Sequence, residues 1–296
     1  MKSQLQEREV QKLVEAQRTV DGAGVHLSRS LGSQALPQLD PFLLLDEFHT
    51  DRPEDYAAGF PTHPHRGFET VTYMLDGHMR HEDHLGNRGD LGPGDVQWMT
   101  AARGIIHSEM PQQSEGRMRG FQLWLNLPSR EKMRPAHYRD IPAAKIPVIK
   151  TAQGGEVRVI AGTVVLDGKQ VEGPVNGAGA KLATDPVYLD VRLPAGASFS
   201  APLAPGYAAF LYAYEGSAAI GEDKSAKPLP HRAAGVLSDG ETVRAVAGEQ
   251  GVRFLLLAAK PLREPVVQYG PFVMNTREEI EQALADYRDG RLASAA

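Results

Sequence analysis

The sequence predicts an all-β protein made of two similar barrels with one short helix at its C-terminus. Three observations carry that prediction. Runs rich in β-branched and aromatic residues, such as 68–75 and 121–127, alternate with turns at Asp76-Gly77 and Pro93-Gly94-Asp95, so the chain doubles back as hairpins. The two halves repeat weakly: Gly67-Phe68-Glu69-Thr70-Val71 through Asp76-Gly77 matches Gly206-Tyr207-Ala208-Ala209-Phe210 through Glu215-Gly216. FQLWLNLP from Phe121 likewise matches RFLLLAAKP from Arg253. Finally, Thr276-Arg277-Glu278-Glu279 has the form of a capping box, with Ile280, Leu284 and Tyr287 following at helical spacing.

Taken in order, residues 1–17 are polar, with Val10, Leu13 and Val14 at helical spacing, and read as a short capping helix or a frayed tail. RTVDGAGVHLSRSLGS, residues 18–33, reads as short strands around Gly22 and Gly24. The run from Phe42 to Leu45 reads as a strand covering one end of the first barrel. Asp46, Glu47 and His49 after it either support a site or, as strand-end acidic residues usually are, stay solvated or bonded to backbone. Residues 121–127 place Gln122, Trp124 and Asn126 on one face, some of them facing a pocket or simply filling core. The charged, Pro-rich stretch 129–150 reads as a connection. GPVNGAGA, residues 173–180 at the end of the Gly-rich stretch that begins at Gly168, lacks the Gly-Lys-Ser/Thr ending of a phosphate loop and reads as a surface loop. YGPFVMN is an arm, and the helix runs to about Arg288 and stops at Gly290. The expected organisation is an N-terminal segment 1–34 contributing to the barrels, a first barrel 35–135, a linker 136–156, a second barrel 157–270, and an arm with helix 271–296.

Composition narrows the function. The 296 residues are 42% hydrophobic, ordinary for a globular protein with a sizeable core. A net charge of -5, with no Lys/Arg run interleaved with aromatics, argues against direct nucleic-acid binding. Without cysteine there is no disulfide, no thiolate catalysis and no Cys-ligated cluster. The N-terminus carries charges where a signal peptide needs an apolar core, and the longest apolar runs, 207–214 and 254–259, are too short to cross a bilayer. The expectation is a cytoplasmic protein that makes no membrane contact.

Six of the ten histidines, His63, His65, His78, His81, His84 and His107, fall within residues 59–111, with His49 just before. Side chains two apart on a strand share a face, so His63 and His65 form one inward pair and His107 and Glu109 another. Three imidazoles and a carboxylate suit one first-row divalent ion: iron, manganese, nickel, copper or zinc. An octahedral ion there keeps two positions open, as a reactive site requires. In the register of the repeat, Pro202 and Ala204 stand opposite His63 and His65, so the second barrel is expected to hold no metal; its His231 reads as a turn residue. His78, His81 and His84 read as a solvated hairpin, with a second metal the lesser alternative. Arg103 either helps bind an anion or fixes its turn.

At DPFLLLDEF, HPHRGFETVTYMLDG, HEDHLG, GDLGPGDVQWMTAARGIIHSEMP and YGPFVMNT the sequence resembles the pirin family of the cupin superfamily. These motifs span nearly the whole chain in order. The resemblance implies two cupin (double-stranded β-helix, jelly-roll) barrels packed face to face, with metal in the N-terminal one, on His63, His65, His107 and Glu109. A typical cupin takes its carboxylate from the first motif, which would be Glu69. The pirin pattern takes it from the second, and the pairing of His107 with Glu109 agrees; Glu69 is then a candidate to orient a ligand or the substrate from behind. The resemblance further implies a dioxygenase, with iron(II) the first choice of metal, acting on quercetin or a similar aromatic with O2 and releasing carbon monoxide. Either Glu109 or Glu69, if uncoordinated, can act as the base. The alternative, from other members, is a metal- or redox-responsive regulator that binds a partner protein. Because imidazoles bind metal only when neutral, affinity is expected to fall below about pH 6.5.

Overall fold

The computed structural model describes residues 6–177, 181–222 and 225–293. Up to residue 143 its strands are β1 (Val10–Glu15), β2 (Gln17–Asp21), β3 (Val25–Leu31), β4 (Phe42–Thr50), β5 (Phe60–His65), β6 (Phe68–Asp76), β7 (Met79–Asp83), β8 (Arg88–Leu91), β9 (Val96–Thr100), β10 (Ile105–Pro111), β11 (Met118–Asn126) and β12 (His137–Ile141). There follow β13 (Val148–Lys150), β14 (Glu156–Ala161), β15 (Thr163–Leu166), β16 (Lys169–Glu172), β17 (Val187–Leu193), β18 (Ser198–Pro202), β19 (Ala208–Ile220), β20 (Lys227–Leu229), β21 (Ala233–Leu237) and β22 (Thr242–Ala259). The hairpin β23 (Val267–Tyr269) and β24 (Phe272–Met274) precedes α1 (Arg277–Arg288).

The chain forms two compact units. One comprises Gln17–Ala143 and Leu262–Ala296, and contains a sheet ordered β12-β9-β6-β11-β4-β3-β2 and a sheet ordered β5-β10-β7-β8. The other comprises the segment ending at Ala16 and Ala144–Pro261, with a sheet ordered β1-β21-β19-β22-β17-β14-β13. Its core is apolar: Val157, Leu189, Val191, Leu211, Phe254 and Leu256 pack with Ala201, Ala213 and Ala245. Two β units and, among the described residues, one α-helix, short and C-terminal, match the predicted fold class.

Several elements differ from expectation. Val10 and Val14 are buried because β1 is a strand paired with β21, not a helix or tail. A spacing of four fits both periods, and the pairing decides. Residues 136–156 are not a free linker, since β12 and β13 are the edge strands of their sheets. Only Ile141 is buried in β12 and no residue of β13 is, so neither strand shows the alternation of a strand with one buried face. β4 lies between β11 and β3 inside the sheet rather than over a barrel end, and Asp46 and Glu47 are buried. On α1 the covered residues are Ile280 and Ala283, whereas Leu284 and Tyr287 are 38% and 41% exposed. The small Ala283 lets the helix approach Met274 and Leu292 closely. In the Gly-rich stretch β15 and β16 form a hairpin, and residues 178–180 lie outside the described residues.

The C-terminal hairpin belongs to the first of these units. Val273 N–H donates to the Arg66 carbonyl (3.0 Å), and Arg66 N–H donates to that of Pro271 (3.2 Å). The buried Lys132 ammonium joins the parts, donating to the carbonyls of Gly67 (2.6 Å) and Val273 (2.9 Å) and to Asn126 Oδ1 (2.6 Å).

Candidate metal centre

β5 and β10 run antiparallel with His107 opposite His63, and a register shift follows before Glu109. Strand alternation turns His63, His65 and His107 to one point, where one ring nitrogen of each lies within 4.8 Å of the others. His63 Nδ1 lies 2.8 Å from the Pro61 carbonyl, an acceptor only, so that nitrogen carries the proton and Nε2 presents its lone pair. That Nε2 is 3.0 Å from Nε2 of His65. Burial, then the neighbouring imidazoles, push His65 and His107 well below the ordinary 6.5, so both rings are neutral at neutral pH. Nδ1 of His65 and both ring nitrogens of His107 are buried without a hydrogen-bond partner among the described residues. Crowded neutral imidazoles with orphaned nitrogens are what a cation satisfies, so the residues present fit a bound metal.

Glu109 is buried on the same strand, opposite His81 of β7. Its Oε1 accepts from the Thr72 hydroxyl (3.0 Å) and its Oε2 from Gln122 Nε2 (3.5 Å). Thr72 also contacts Gln122 Oε1 at 2.7 Å. These two residues belong to a polar row, because the register sets Arg29 beside Asp46, Asp46 beside Gln122, Gln122 beside Thr72 and Thr72 beside Gln97. At its far end Arg29 grips Asp46 with two bonds, Nε to Oδ1 (2.8 Å) and Nη2 to Oδ2 (2.7 Å), and also reaches Asp21. The bond to Asp46 raises the guanidinium above its usual range.

The other candidates are dispersed. Glu69, three positions before Thr72 on β6, falls on the opposite face of the strand. There it is buried and accepts from the Thr100 hydroxyl (2.7 Å), away from the imidazoles. Glu47 faces away from Asp46 in the same manner, 3.8 Å from Arg119 and from His49. His78 and His84 are exposed, but His81 is fully buried, edge-on to His107 with centroids 4.7 Å apart. The expected solvated hairpin is therefore corrected at that residue. Its parity with Met79, both buried on β7, was the signal available in the sequence. The Arg103 carbonyl accepts from Arg66 Nε, a turn-fixing contact. Asp46 was one of the residues expected to support a site or stay solvated, whereas Arg29 and Thr72 were not picked out, because their row exists only across strands.

A cavity of about 650 Å³ opens over His63, His65 and Glu109. Leu27, Leu44, Phe48, Phe60, Met79 and Trp124 supply apolar walls, and Thr72, Gln122, Asp46 and Arg29 the polar lining. Gln122 and Trp124 thus share the pocket face expected of them. No helix among the described residues is long and apolar enough to cross a membrane.

Comparison with known proteins bears on this geometry. The family model described as pirin matches residues 24–125, and that of the pirin C-terminal cupin domain matches 188–293. A protein of Pseudomonas aeruginosa provisionally named as a quercetin 2,3-dioxygenase is 55% identical over 97% of this chain and 98% of its own. Pirin of Homo sapiens is 45% identical over 92% of this chain and 89% of its own. The crystal structure of a quercetin 2,3-dioxygenase from Acinetobacter baumannii superposes with a TM-score of 0.86 at 32% identity, covering 97% of this chain and 99% of that one.

Proposed function

The chain belongs to the pirin family of two-cupin proteins, and on that premise we propose that it is a metal-dependent dioxygenase acting on a flavonol-like aromatic, such as quercetin, with O2. His63, His65, His107 and Glu109 are the proposed ligands of one first-row divalent ion, iron(II) in first place. The observation that carries the reading is the convergence of three imidazoles, with Glu109 lining the same aromatic-walled cavity as His63 and His65. The names of the relatives in Pseudomonas and Acinetobacter support it.

The ion, when bound, supplies a Lewis acid for vicinal substrate oxygens and a partner for O2. The chain does the rest. His63 is held in one tautomer by Pro61, and burial keeps His65 and His107 unprotonated. Trp124, Phe48 and Phe60 offer flat apolar surface that holds a ring and excludes water. Thr72 and Gln122 aim the two oxygens of Glu109. While Glu109 is uncoordinated it can take the proton of a substrate hydroxyl.

Oxygen uptake tests this directly. Protein loaded anaerobically with Fe(II) is expected to consume O2 only with quercetin present, and the His63→Ala variant to consume none. No uptake by protein shown to carry the ion sinks the enzymatic reading and leaves the regulator, whose partner would be sought by comparing binding to the Fe(II) and Fe(III) forms.

A further inference from the structure

The cavity has two polar ends, and the proposed metal accounts for one. Asp46 lies two strands from Thr72 across the row, about 10 Å at ordinary strand spacing. Asp46 is 3% exposed, and both its carboxylate oxygens are held by Arg29, yet each keeps a free lone-pair direction. Arg29 Nη1 has no hydrogen-bond partner among the described residues. The pair therefore offers one acceptor and one donor side by side in the wall of the cavity.

We propose that Arg29 and Asp46 determine specificity by binding a neutral phenolic hydroxyl on the substrate ring remote from the metal. The inference rests on the flavonol reading above and names the end of the ligand which that reading leaves open. A hydroxyl satisfies both groups, donating to Asp46 and accepting from Arg29. A ring without a hydroxyl displaces water from Arg29 Nη1 and from the remaining Asp46 lone pairs without returning a hydrogen bond, which is the stronger form of discrimination. A remote carboxylate meets Asp21 and Asp46 with only the guanidinium of Arg29, already paired with both, to offset them. The wall thus selects phenols over both bare and anionic rings.

The test needs no turnover. Quercetin and galangin share the chelating oxygens, and galangin lacks hydroxyls on the pendant ring. Their dissociation constants are measured on Zn(II)-loaded protein by quenching of tryptophan fluorescence. Quercetin is expected to bind roughly tenfold or more tightly than galangin. Asp46→Asn is expected to erase most of that ratio by weakening quercetin alone. Equal affinities in the parent protein, a comparison that needs no variant, would overturn the inference and leave the flavonol reading standing. So would an equal loss for both ligands in the variant, which marks a structural role. Binding of neither flavonol to the parent protein overturns the flavonol reading and the inference with it.

Discussion

Glu69 is fully buried and bonded to Thr100, and desolvation raises its carboxyl from the ordinary 4.5 to about 7, against the pull of its hydrogen bonds. Below about 4.5 the folded and unfolded chains both hold this proton. Between there and about 7 only the folded chain keeps it, so its contribution turns increasingly unfavourable as pH rises, then levels off. Glu69→Gln keeps the shape without the charge. It is expected to match the parent at pH 4 and to exceed it at pH 8 by on the order of 3 kcal/mol, read from denaturant midpoints. Equal stabilities at both pH values would show that the carboxyl is not held neutral. His65 and His107 shift in the other direction, downward through burial. Those two rings therefore stay neutral, and able to hold a cation, further into acid than a free imidazole at about 6.5 would. Metal analysis after dialysis at graded pH is expected to place the loss below that value, which refines the expectation from sequence.

Among the elements, the turn after β5 controls the most. It carries His65 into Arg66 and Gly67, and the C-terminal hairpin closes on it. Gly67 has φ +94°, and a Cβ there would lie 1.9 Å from the Val273 carbonyl. Arg66, 3% exposed, donates to Asp286 of α1 at 2.8 Å and to the Leu292 carbonyl at 3.3 Å. Helix, hairpin and the strand that carries His63 and His65 are thus bolted together at two adjacent residues. Gly67→Ala is expected to cost roughly 3 kcal/mol through backbone strain and overlap. Because His65 stands two residues away, it should also weaken metal binding, measured by competition with a chromophoric chelator. An unchanged denaturant midpoint would show that the hairpin gives way without cost. The start of α1 was fully legible: the Thr276 hydroxyl accepts from Glu279 N–H, and the Glu279 carboxylate accepts from Thr276 N–H. Its clamp on Arg66 was not, since Asp286 and Arg66 are 220 residues apart.

For the whole molecule, each unit has its own apolar interior, and the proposed ligands belong to one unit. An ion bound at the proposed ligands is then expected to stabilise by mass action rather than to be a condition for folding. At about a thousandfold excess over its dissociation constant a bound ion adds about 4 kcal/mol. Thermal scans with Zn(II) are expected to shift upward in the parent protein, to revert with chelator, and to stay unshifted in His107→Ala, which should remain folded. A variant that unfolds outright would recast the centre as structural.

Alternation, turn residues and the internal repeat made the β architecture legible, and the spacing of His63, His65, His107 and Glu109 singled out the candidate ligands. Each of those signals is local: a pair two apart on a strand shares a face in any fold that keeps the strand. Tertiary structure decided which strand lies beside which. It placed β1 with β21, buried His81 against His107, turned Glu69 away from the imidazoles and joined Arg29, Asp46, Gln122 and Thr72 into one row. Within a strand, position follows from covalent geometry. Between strands, register follows from the packing of side chains far apart in the chain, and a one-residue slip would turn every one of them to the other face.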